Sequence, residues 1–277
     1  MNSTSIQKKA FAGATVVLTG AASGLGKAMT RLLADAGAEV FALDVNGAGL
    51  DRLVEECPGN IHAVQADVTD LDAYRRIGER IIGLSGKVDY LFNNAGITLL
   101  GEAQNLPFPR WKTLMDINLM GAVNGTQVFY PSMIIRKSGR IINTASIAGT
   151  TGYATATAYT ASKAAVLEFS RSLRAEAKNY GVGVSVACPG YVDTGIFAED
   201  RIVGADRGQM IRDLPVKMMS PDYAAGRLLD GVAKGKGTII FPFSAKFLWT
   251  LSCWAPPLIR PFHKRFMRTF QAKKRES

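Results

Sequence analysis

The chain has 277 residues, 47% of them hydrophobic, and this length and apolar content suit one α/β domain with a large buried core. Its net charge of +10 is concentrated at the C-terminal end, where residues 239–277 hold eight basic side chains and one acidic side chain. The nearly balanced remainder disfavours a nucleic-acid-binding face, and three widely spaced cysteines predict neither a disulfide framework nor a metal site.

Short apolar runs alternate with helix-like segments along the chain. The runs that predict buried strands are residues 14–20, 38–44, 61–67, 88–94, 139–146 and 183–190. The helix-like segments begin near Leu25, Gly47, Asp70, Phe108, Thr157 and Pro221. This alternation predicts right-handed βαβ crossovers and a doubly wound parallel sheet with helices on both faces. Ligands of such sheets bind beyond the carboxyl ends of the strands, where these runs place Gly, Asn, Asp and Ser residues.

The segment TGAASGLG, residues 19–26, follows the first predicted strand and opens a predicted helix. Gly20, Gly24 and Gly26 allow a tight turn and a close approach of the backbone to a pyrophosphate. The amides of Leu25 and Gly26 then lie at the positive end of the helix. The pattern predicts a dinucleotide site on a single-domain Rossmann-type α/β fold, with an ordinary strand-to-helix turn as the alternative.

Asp44 stands at the end of the second predicted strand. A carboxylate at this position accepts hydrogen bonds from the hydroxyls of the adenosine ribose. A 2′-phosphate would meet like charge there, and the following Val45 and Asn46 offer no arginine to accommodate it. The sequence therefore predicts NAD as the cofactor. NADP stays the less favoured alternative, because Lys27 or Arg52 could reach such a phosphate.

Further motifs accompany this turn in a characteristic order: TGxxxGxG, NNAG at 93–96, Asn118, Ser146, the Tyr159 and Lys163 pair, and Pro-Gly at 189–190. In order and spacing they resemble the short-chain dehydrogenases/reductases over residues 13 to about 240. The resemblance implies that Asp67 and Val68 hold the adenine, that Asn94, Ala95 and Gly96 support the cofactor and its neighbouring strand, and that Pro189, Gly190, Val192 and Thr194 position the nicotinamide carboxamide. The full predicted cofactor site adds Gly20, Ser23, Gly24, Leu25, Gly26, Asp44, Tyr159 and Lys163.

Tyr159 and Lys163 are four residues apart, so on a helix they share one face. Tyr153 has a threonine four residues later, which makes Tyr159 the candidate acid/base. A free phenol has a pKa of about 10 and is a poor base at neutral pH. A nearby ammonium, which Lys163 could supply, and the positive nicotinamide ring would favour the phenolate.

The predicted catalytic set is Asn118, Ser146, Tyr159 and Lys163. Ser146 would hydrogen-bond the substrate oxygen, and the resemblance implies that Lys163 also holds the nicotinamide ribose while Asn118 helps to hold a water of a proton relay. The expected substrate pocket consists of Ser146, Tyr153, Tyr159, Ile196 and Phe197. Residues 194–219 occupy the place of the family's variable substrate lid. Their mixture of apolar and charged side chains predicts a mobile cover over an apolar pocket.

The terminal segments flank the catalytic domain, which we predict over residues 13–240. We expect residues 1–12 to form an N-terminal arm without an export signal, and residues 241–277 to form a basic, aromatic-rich extension. The apolar region 239–259 is interrupted by a lysine and three prolines, so we expect no transmembrane segment. Further on, Ile259, Phe262, Phe266 and Phe270 have helical spacing beside the basic residues Arg260, Lys264, Arg265 and Arg268. This pattern fits an interfacial helix on an anionic membrane, or equally a helix packed on its own domain or on a neighbouring subunit.

Together these features predict an NAD(H)-dependent oxidoreductase that interconverts a secondary alcohol and a ketone, acting on a small apolar substrate. Two alternatives stay open: an NADPH-dependent 3-oxoacyl-thioester reductase, and a non-catalytic dinucleotide-binding sensor. The resemblance implies a homodimer or homotetramer. We expect a cytoplasmic protein without a nucleic-acid partner, and peripheral contact with a membrane surface is an open alternative for the extension.

Overall fold

The computed structural model describes residues 3–57, 59–204, 208, 217–255, 267–268 and 271. The strands within these residues are β1 (Thr15–Thr19), β2 (Glu39–Asp44), β3 (Ile61–Gln65), β4 (Tyr90–Asn93), β5 (Arg140–Thr144), β6 (Gly183–Pro189) and β7 (Thr238–Phe241). The α-helices are α1 (Ser3–Phe11), α2 (Gly24–Asp35), α3 (Gly47–Glu56), α4 (Leu71–Ser85), α5 (Phe108–Met115), α6 (Gly121–Arg136), α7 (Ala148–Thr151), α8 (Thr157–Ala177), α9 (Pro221–Ala233) and α10 (Phe243–Trp254). A π-helical turn, Asp116–Met120, joins α5 to α6.

The described strands form one parallel sheet in the order β3-β2-β1-β4-β5-β6-β7. The chain runs outward from β1 to β3 and then returns to place β4 on the other side of β1. This reversal creates a crevice beyond the carboxyl ends of β1 and β4, where sheets of this kind bind ligands. The predicted single-domain, doubly wound parallel sheet is confirmed.

Two hydrophobic layers cover the sheet because side chains alternate along each strand. On β1, Val16 and Leu18 point into one layer and Val17 into the other, and all three are fully buried. The first layer is filled mainly from α2, α3 and α9, and the second from α4, α6 and α8. Burial on both faces explains why the strands are continuously apolar in sequence.

The six predicted strands and the six predicted helix starts agree with the structure to within a few residues. The seventh strand, β7, was not predicted, because its residues TIIF merge in sequence with the apolar region that follows them. That strand extends the sheet beyond β6 and carries α10 directly after it.

The terminal segments contain two helices that the sequence argument did not predict. Most of the expected N-terminal arm forms α1, which packs on α9 and is joined to it by a hydrogen bond of 2.8 Å from Gln7 Nε2 to Asp230 Oδ1. At the other end, α10 packs against β7 and α7. No helix in the described part of the chain has both the length and the apolar content needed to cross a bilayer.

The predicted lid is described only in part. It begins with short 3₁₀ turns at Gly195–Phe197 and Glu199–Arg201, and Met219 at its end forms an isolated bridge with Val192. Residues 205–207 and 209–216 lie outside the described residues, as does the side chain of Phe197. The tail residues Ile259, Arg260, Phe262, Lys264, Arg265, Phe266 and Phe270 also lie outside them.

Candidate active site

A cavity of about 730 Å³ opens at the carboxyl ends of the strands. The predicted residues that line it are Gly20, Ser23, Gly24, Leu25, Gly26, Asp44, Asp67, Val68, Asn94, Ala95, Gly96, Ser146, Tyr153, Tyr159, Lys163, Pro189, Gly190, Val192, Thr194 and Ile196. Asn118 is not in the lining and lies behind it, next to Gly96. The fold therefore brings together residues that are up to 176 positions apart in the sequence.

The glycine-rich turn between β1 and α2 is compact enough to exclude side chains. Gly20 and Gly24 have φ angles of +70° and +50°, a backbone region that favours glycine. A Cβ on Gly26 would come within 1.9 Å of the carbonyl oxygen of Gly20. The turn can therefore bring its backbone close to a ligand, as a pyrophosphate site requires.

The first turn of α2 differs from the first turns of the next two helices. Asn46 at the start of α3 accepts a side-chain hydrogen bond from the amide of Gly49, and Asp70 at the start of α4 accepts one from Ala73. Ser23 occupies the same position before α2 and makes no such capping bond. The amide donors at this helix end thus stay available to an anion, which the positive end of the helix dipole also favours.

Asp44 is held in place by two backbone amides at the end of β2. Its Oδ2 accepts from Ala22 at 2.9 Å, and its Oδ1 accepts from Asn46 at 3.0 Å. Each oxygen keeps a further lone pair for the ribose hydroxyls of a dinucleotide. Lys27, one of the two basic residues that could compensate a 2′-phosphate, is paired with Glu56 at 2.7 Å.

Asn94 connects three strands beside the cavity. Its Nδ2 donates to the carbonyl of Thr19 at 3.1 Å, and its Oδ1 accepts from the hydroxyl of Thr144 at 3.3 Å. Gly96 lies close to two of the predicted catalytic side chains, since a Cβ there would be 3.0 Å from Lys163 Nζ and 3.1 Å from Asn118 Oδ1. The NNAG segment therefore braces the strand ends and leaves room for Lys163.

The buried Ser146 and the partly buried Tyr159 form a hydrogen-bonded pair within the cavity. The backbone amide of Ala148 donates to Ser146 Oγ at 3.1 Å and fixes the hydroxyl at the start of α7. Burial raises the pKa of Tyr159 to about 12, and the hydrogen bond with Ser146 offsets only part of that rise. The sequence predicts that two positive charges, Lys163 and the nicotinamide ring, favour the phenolate. Lys163 alone does not bring the pKa of Tyr159 below its ordinary value.

Lys163 is buried one helical turn after Tyr159 on α8. Its Nζ donates to the carbonyl of Thr144 at 2.9 Å and lies 5.8 Å from the centre of the Tyr159 ring. Burial lowers the pKa of Lys163 to about 8, because the ammonium has lost most of its contact with water. The α-helical spacing therefore places both groups on one face, as predicted.

Asn118 lies in the π-helical turn between α5 and α6 and is almost fully buried. Its Oδ1 accepts from the amide of Ile97 at 2.8 Å, while its Nδ2 donates to the Ile97 carbonyl and to Ser162 Oγ, both at 2.9 Å. These bonds tie the segment after β4 to α8. Its expected part in holding a water stays a prediction.

The part of the cavity around Tyr153 and Tyr159 is mainly apolar. Leu100, Ala156 and Ile202 form a buried cluster against which the rings of Tyr153 and Tyr159 pack. Tyr191, which the sequence argument did not select, meets Tyr153 edge-on with ring centres 6.4 Å apart. The sequence does contain a signal for Tyr191. It directly follows Pro189 and Gly190, which are predicted to lie at the cofactor site.

A comparison with protein-family models finds a match over residues 14–202 to the family described as short chain dehydrogenase. That match covers well over half of the chain, including the glycine turn, Ser146, Tyr159 and Lys163. The chain belongs to the short-chain dehydrogenase family.

Curated relatives and a solved structure agree with this membership. The 3-oxoacyl-acyl-carrier-protein reductase FabG of Thermotoga maritima is 36% identical over 185 residues, which are 66% of this chain and 75% of the relative. The ketoacyl reductase HetN of Nostoc is 36% identical over 194 residues, or 69% of this chain and 68% of the relative. A crystal structure of a short-chain dehydrogenase/reductase from Burkholderia phymatum in complex with NAD has a TM-score of 0.81 and 27% identity, and the match covers 91% of this chain and 96% of that chain.

As a short-chain dehydrogenase, the protein is an oxidoreductase that uses a nicotinamide dinucleotide. The enzyme expectation is thus confirmed, in preference to a non-catalytic sensor. The geometry of the site also fits such a cofactor. The amides at the start of α2 lack a side-chain cap and suit a pyrophosphate, and the carboxylate of Asp44 suits a ribose. The described residues contain no group of three or more His, Cys, Asp or Glu side chains that could hold a metal ion.

Proposed function

We propose that this short-chain dehydrogenase interconverts a secondary alcohol and a ketone with NAD(H), and that its substrate is lipophilic. The observation that carries the proposal is the hydrogen-bonded pair of Ser146 and Tyr159, which lines the same cavity as Asp44 and Lys163. One end of this cavity suits a dinucleotide and the other end carries a proton donor. This combination is what hydride transfer coupled to proton transfer requires.

The proposed chemistry divides between cofactor and protein. A nicotinamide dinucleotide, when bound, supplies the hydride acceptor for alcohol oxidation or the hydride donor for ketone reduction. In reduction, the Tyr159 hydroxyl donates its proton to the carbonyl oxygen; in oxidation, the phenolate takes the proton of the alcohol. Ser146 holds the substrate oxygen next to Tyr159.

Lys163 and Asn118 support this proton transfer in the proposal. The ammonium of Lys163 holds the ribose hydroxyls and lies near enough to Tyr159 to stabilise its phenolate. Its pKa of about 8 leaves much of the lysine protonated near neutral pH, so it can pass a proton onward. Asn118 fixes Ile97 and Ser162 around this ammonium and helps to hold the water of the relay.

Preference for NAD is supported by the surroundings of Asp44. A 2′-phosphate would lie against this carboxylate, and like charges repel at such a distance. Val45 follows Asp44 and offers no positive charge, while Lys27 is already paired with Glu56. Arg52, the other basic residue that could reach a 2′-phosphate, is exposed.

A lipophilic substrate is supported by the walls near Tyr159. Leu100, Ala156 and Ile202 present apolar surface, and a second apolar cluster of Leu99, Leu106, Leu114 and Ala158 packs behind Tyr159. Apolar walls reward burial of carbon by about 25 cal/mol per Å². Affinity should therefore grow with the apolar size of the alcohol.

A second candidate is an NADPH-dependent reductase of 3-oxoacyl thioesters. It is favoured by the similarity to FabG of Thermotoga maritima and to HetN of Nostoc, whose names denote ketoacyl reductases. Asp44 opposes it, because reductive biosynthesis commonly draws on the 2′-phosphorylated cofactor. The cofactor preference therefore separates the two candidates.

The test is a steady-state assay of the purified chain with secondary alcohols of increasing apolar size, using NAD and NADP in parallel, and with a 3-oxoacyl thioester using NADH and NADPH. We expect kcat/KM to rise with alcohol size and to favour NAD. Asp44→Ser should reduce the preference for NAD by about tenfold or more, whereas Asp51→Ser on the outer side of α3 should leave it unchanged. Turnover of the thioester with strong preference for NADPH would overturn the proposal in favour of the second candidate.

A further inference from the structure

Helix α10 exposes an aromatic face that nothing in the described part of the chain covers. Phe243, Phe247 and Trp254 are 82%, 61% and 86% exposed. They are four and seven residues apart, so they lie along one side of the helix. The opposite side carries the buried Ala245 and packs against β7 and α7.

A positive charge lies beside this face. Lys246 is exposed on α10 itself, and Arg268 is exposed farther along the chain. From residue 239 onward the sequence holds eight basic residues and one acidic residue. Aromatic rings beside lysine and arginine suit the boundary of an anionic bilayer, where rings enter the headgroup region and basic groups meet lipid phosphates and carboxylates.

The size of the aromatic face disfavours a second copy of the chain as its occupant. An aromatic side chain offers about 150–250 Å², so these three expose roughly 500 Å² in total. A stable protein interface buries about 800 Å² on each partner. A lipid surface needs no such area, because a few inserted rings and basic residues suffice for reversible binding.

The aromatic face also lies beside the cavity. α10 packs on α7, which begins two residues after Ser146, and a Cβ on Gly190 would lie 3.0 Å from Pro242 Cδ at the start of α10. Farther along the extension, Gln271 Nε2 donates at 3.2 Å to Oε1 of Glu102, two residues after the cavity-lining Leu100. Two described parts of the C-terminal extension thus contact segments that adjoin the cavity.

We propose that the aromatic face of α10, together with the exposed Lys246 and Arg268, docks the enzyme on an anionic lipid surface. Docking in this orientation brings the substrate pocket close to the bilayer. A lipophilic alcohol or ketone dissolved in the bilayer then reaches the pocket with little exposure to water. The docking itself does not depend on the proposed reaction, so it can be tested without turnover.

The test is sedimentation of the full-length protein with vesicles of phosphatidylcholine alone or of phosphatidylcholine mixed with phosphatidylserine. We expect binding to the mixed vesicles that weakens as salt is raised, because screening reduces the contribution of the basic residues. The triple variant Phe243→Ser, Phe247→Ser, Trp254→Ser should lose at least tenfold in partitioning. Lys246→Gln with Arg268→Gln should lose about fivefold per residue and reduce the salt dependence.

The matched control replaces three similarly exposed apolar residues elsewhere, with Leu84→Ser, Phe108→Ser and Ile135→Ser. This variant should bind vesicles as the parent does, and light scattering of all variants checks that the subunit count is unchanged. A parent that stays in solution with both kinds of vesicle overturns the proposal. Equal binding of the α10 variant and the parent also overturns it. Loss of self-association in the α10 variant, without any lipid binding by the parent, would assign the face to a second copy instead.

Discussion

The helices α2 and α4 follow strands of the same sheet, but they differ in whether a side chain caps the backbone amides of the first turn. At α4 the carboxylate of Asp70 accepts from the amide of Ala73 at 2.9 Å, so the protein satisfies this helix end itself. At α2 the hydroxyl of Ser23 makes no capping bond, and the residues of the first turn line the cavity. The protein thus closes the end of α4 itself, whereas the end of α2 beside the cavity keeps its donors available.

The same contrast separates the predicted catalytic side chains from the surface charges. On the surface, Arg75 pairs with Asp72 at 3.1 Å in contact with water. In the cavity, burial shifts the pKa of Tyr159 upward and that of Lys163 downward, so each neutral form is favoured. Burial of these two ionisable groups therefore lowers the stability of the protein. Replacing them should reduce activity without a matching loss of stability.

The largest expected effect is on catalysis. Tyr159→Phe removes the proton donor and should lower kcat by about 10²–10⁴-fold, the usual contribution of a positioned general acid or base. NADH affinity, measured by fluorescence titration, should be essentially unchanged because the ring stays in place. The control Tyr180→Phe alters an exposed tyrosine and should leave kcat as it is. Parent-like turnover by Tyr159→Phe would show that another group handles the proton.

The next effect concerns the pH dependence of stability. The pKa of Lys163 is about 8 in the folded protein against an ordinary 10.5, so between these values the unfolded chain holds a proton that the folded chain has released. Folding stability due to this lysine therefore increases as the pH rises through that window, by about 3 kcal/mol in total. Lys163→Met removes this pH dependence, so the unfolding free energy of the parent minus that of the variant should rise with pH.

Urea titrations between pH 8 and 9 measure this difference best. Above pH 9 the buried thiol of Cys188, whose pKa burial raises to about 12, begins to lower the stability of both proteins, although this effect cancels in their difference. Above pH 10 the buried tyrosines do the same. A difference between parent and variant that is flat from pH 8 to 9 would mean that Lys163 keeps its ordinary pKa in the folded protein.

A smaller effect is expected from two glycines inside helices. Gly26→Ala forces a Cβ against the carbonyl of Gly20, which should cost about 1–3 kcal/mol and distort the turn that receives the pyrophosphate. Gly226→Ala on α9 meets no atom within 4 Å and should stabilise the protein by about 0.5–1 kcal/mol. Thermal unfolding and NADH titration of both variants check the contrast. Unimpaired NADH binding by Gly26→Ala would argue against this turn as the cofactor site.

The smallest effects test the two helix ends directly. Asp70→Ala should cost about 1 kcal/mol of stability, with or without cofactor, because it leaves an amide of α4 without its partner. Ser23→Ala removes no capping bond and should change the stability of the free protein by much less. Its effect should appear as weaker NADH binding, measured by calorimetry. The reverse result, with Ser23→Ala destabilising and Asp70→Ala neutral, would contradict the comparison.

Much of this arrangement could be predicted from the sequence, because apolar runs of strand length and helical spacing are local signals. These signals placed Asp44 at a strand end and Tyr159 and Lys163 on one helix face. Strand β7 could not be separated from the apolar residues that follow it, since four residues carry too weak a pattern. The raised pKa of Tyr159 depends on how completely its surroundings exclude water, and spacing along the chain does not report that. Tyr191 was missed because its partner Tyr153 is 38 positions away.

The π-helical turn Asp116–Met120 sets the phase between the two helices that it joins. Before it, Leu114 packs with Leu99 and with Ala158 of α8; after it, Phe129 packs in the second hydrophobic layer, together with residues of α4 and α8. Each α-helical residue advances the helix by about 100°, so losing one residue from the π turn would rotate one helix against the other by that angle. If the chain were one residue shorter here, either Asn118 or Phe129 could keep its present position, but not both. The extra residue therefore lets one continuous helical stretch place Asn118 next to Gly96 and Phe129 in the hydrophobic core.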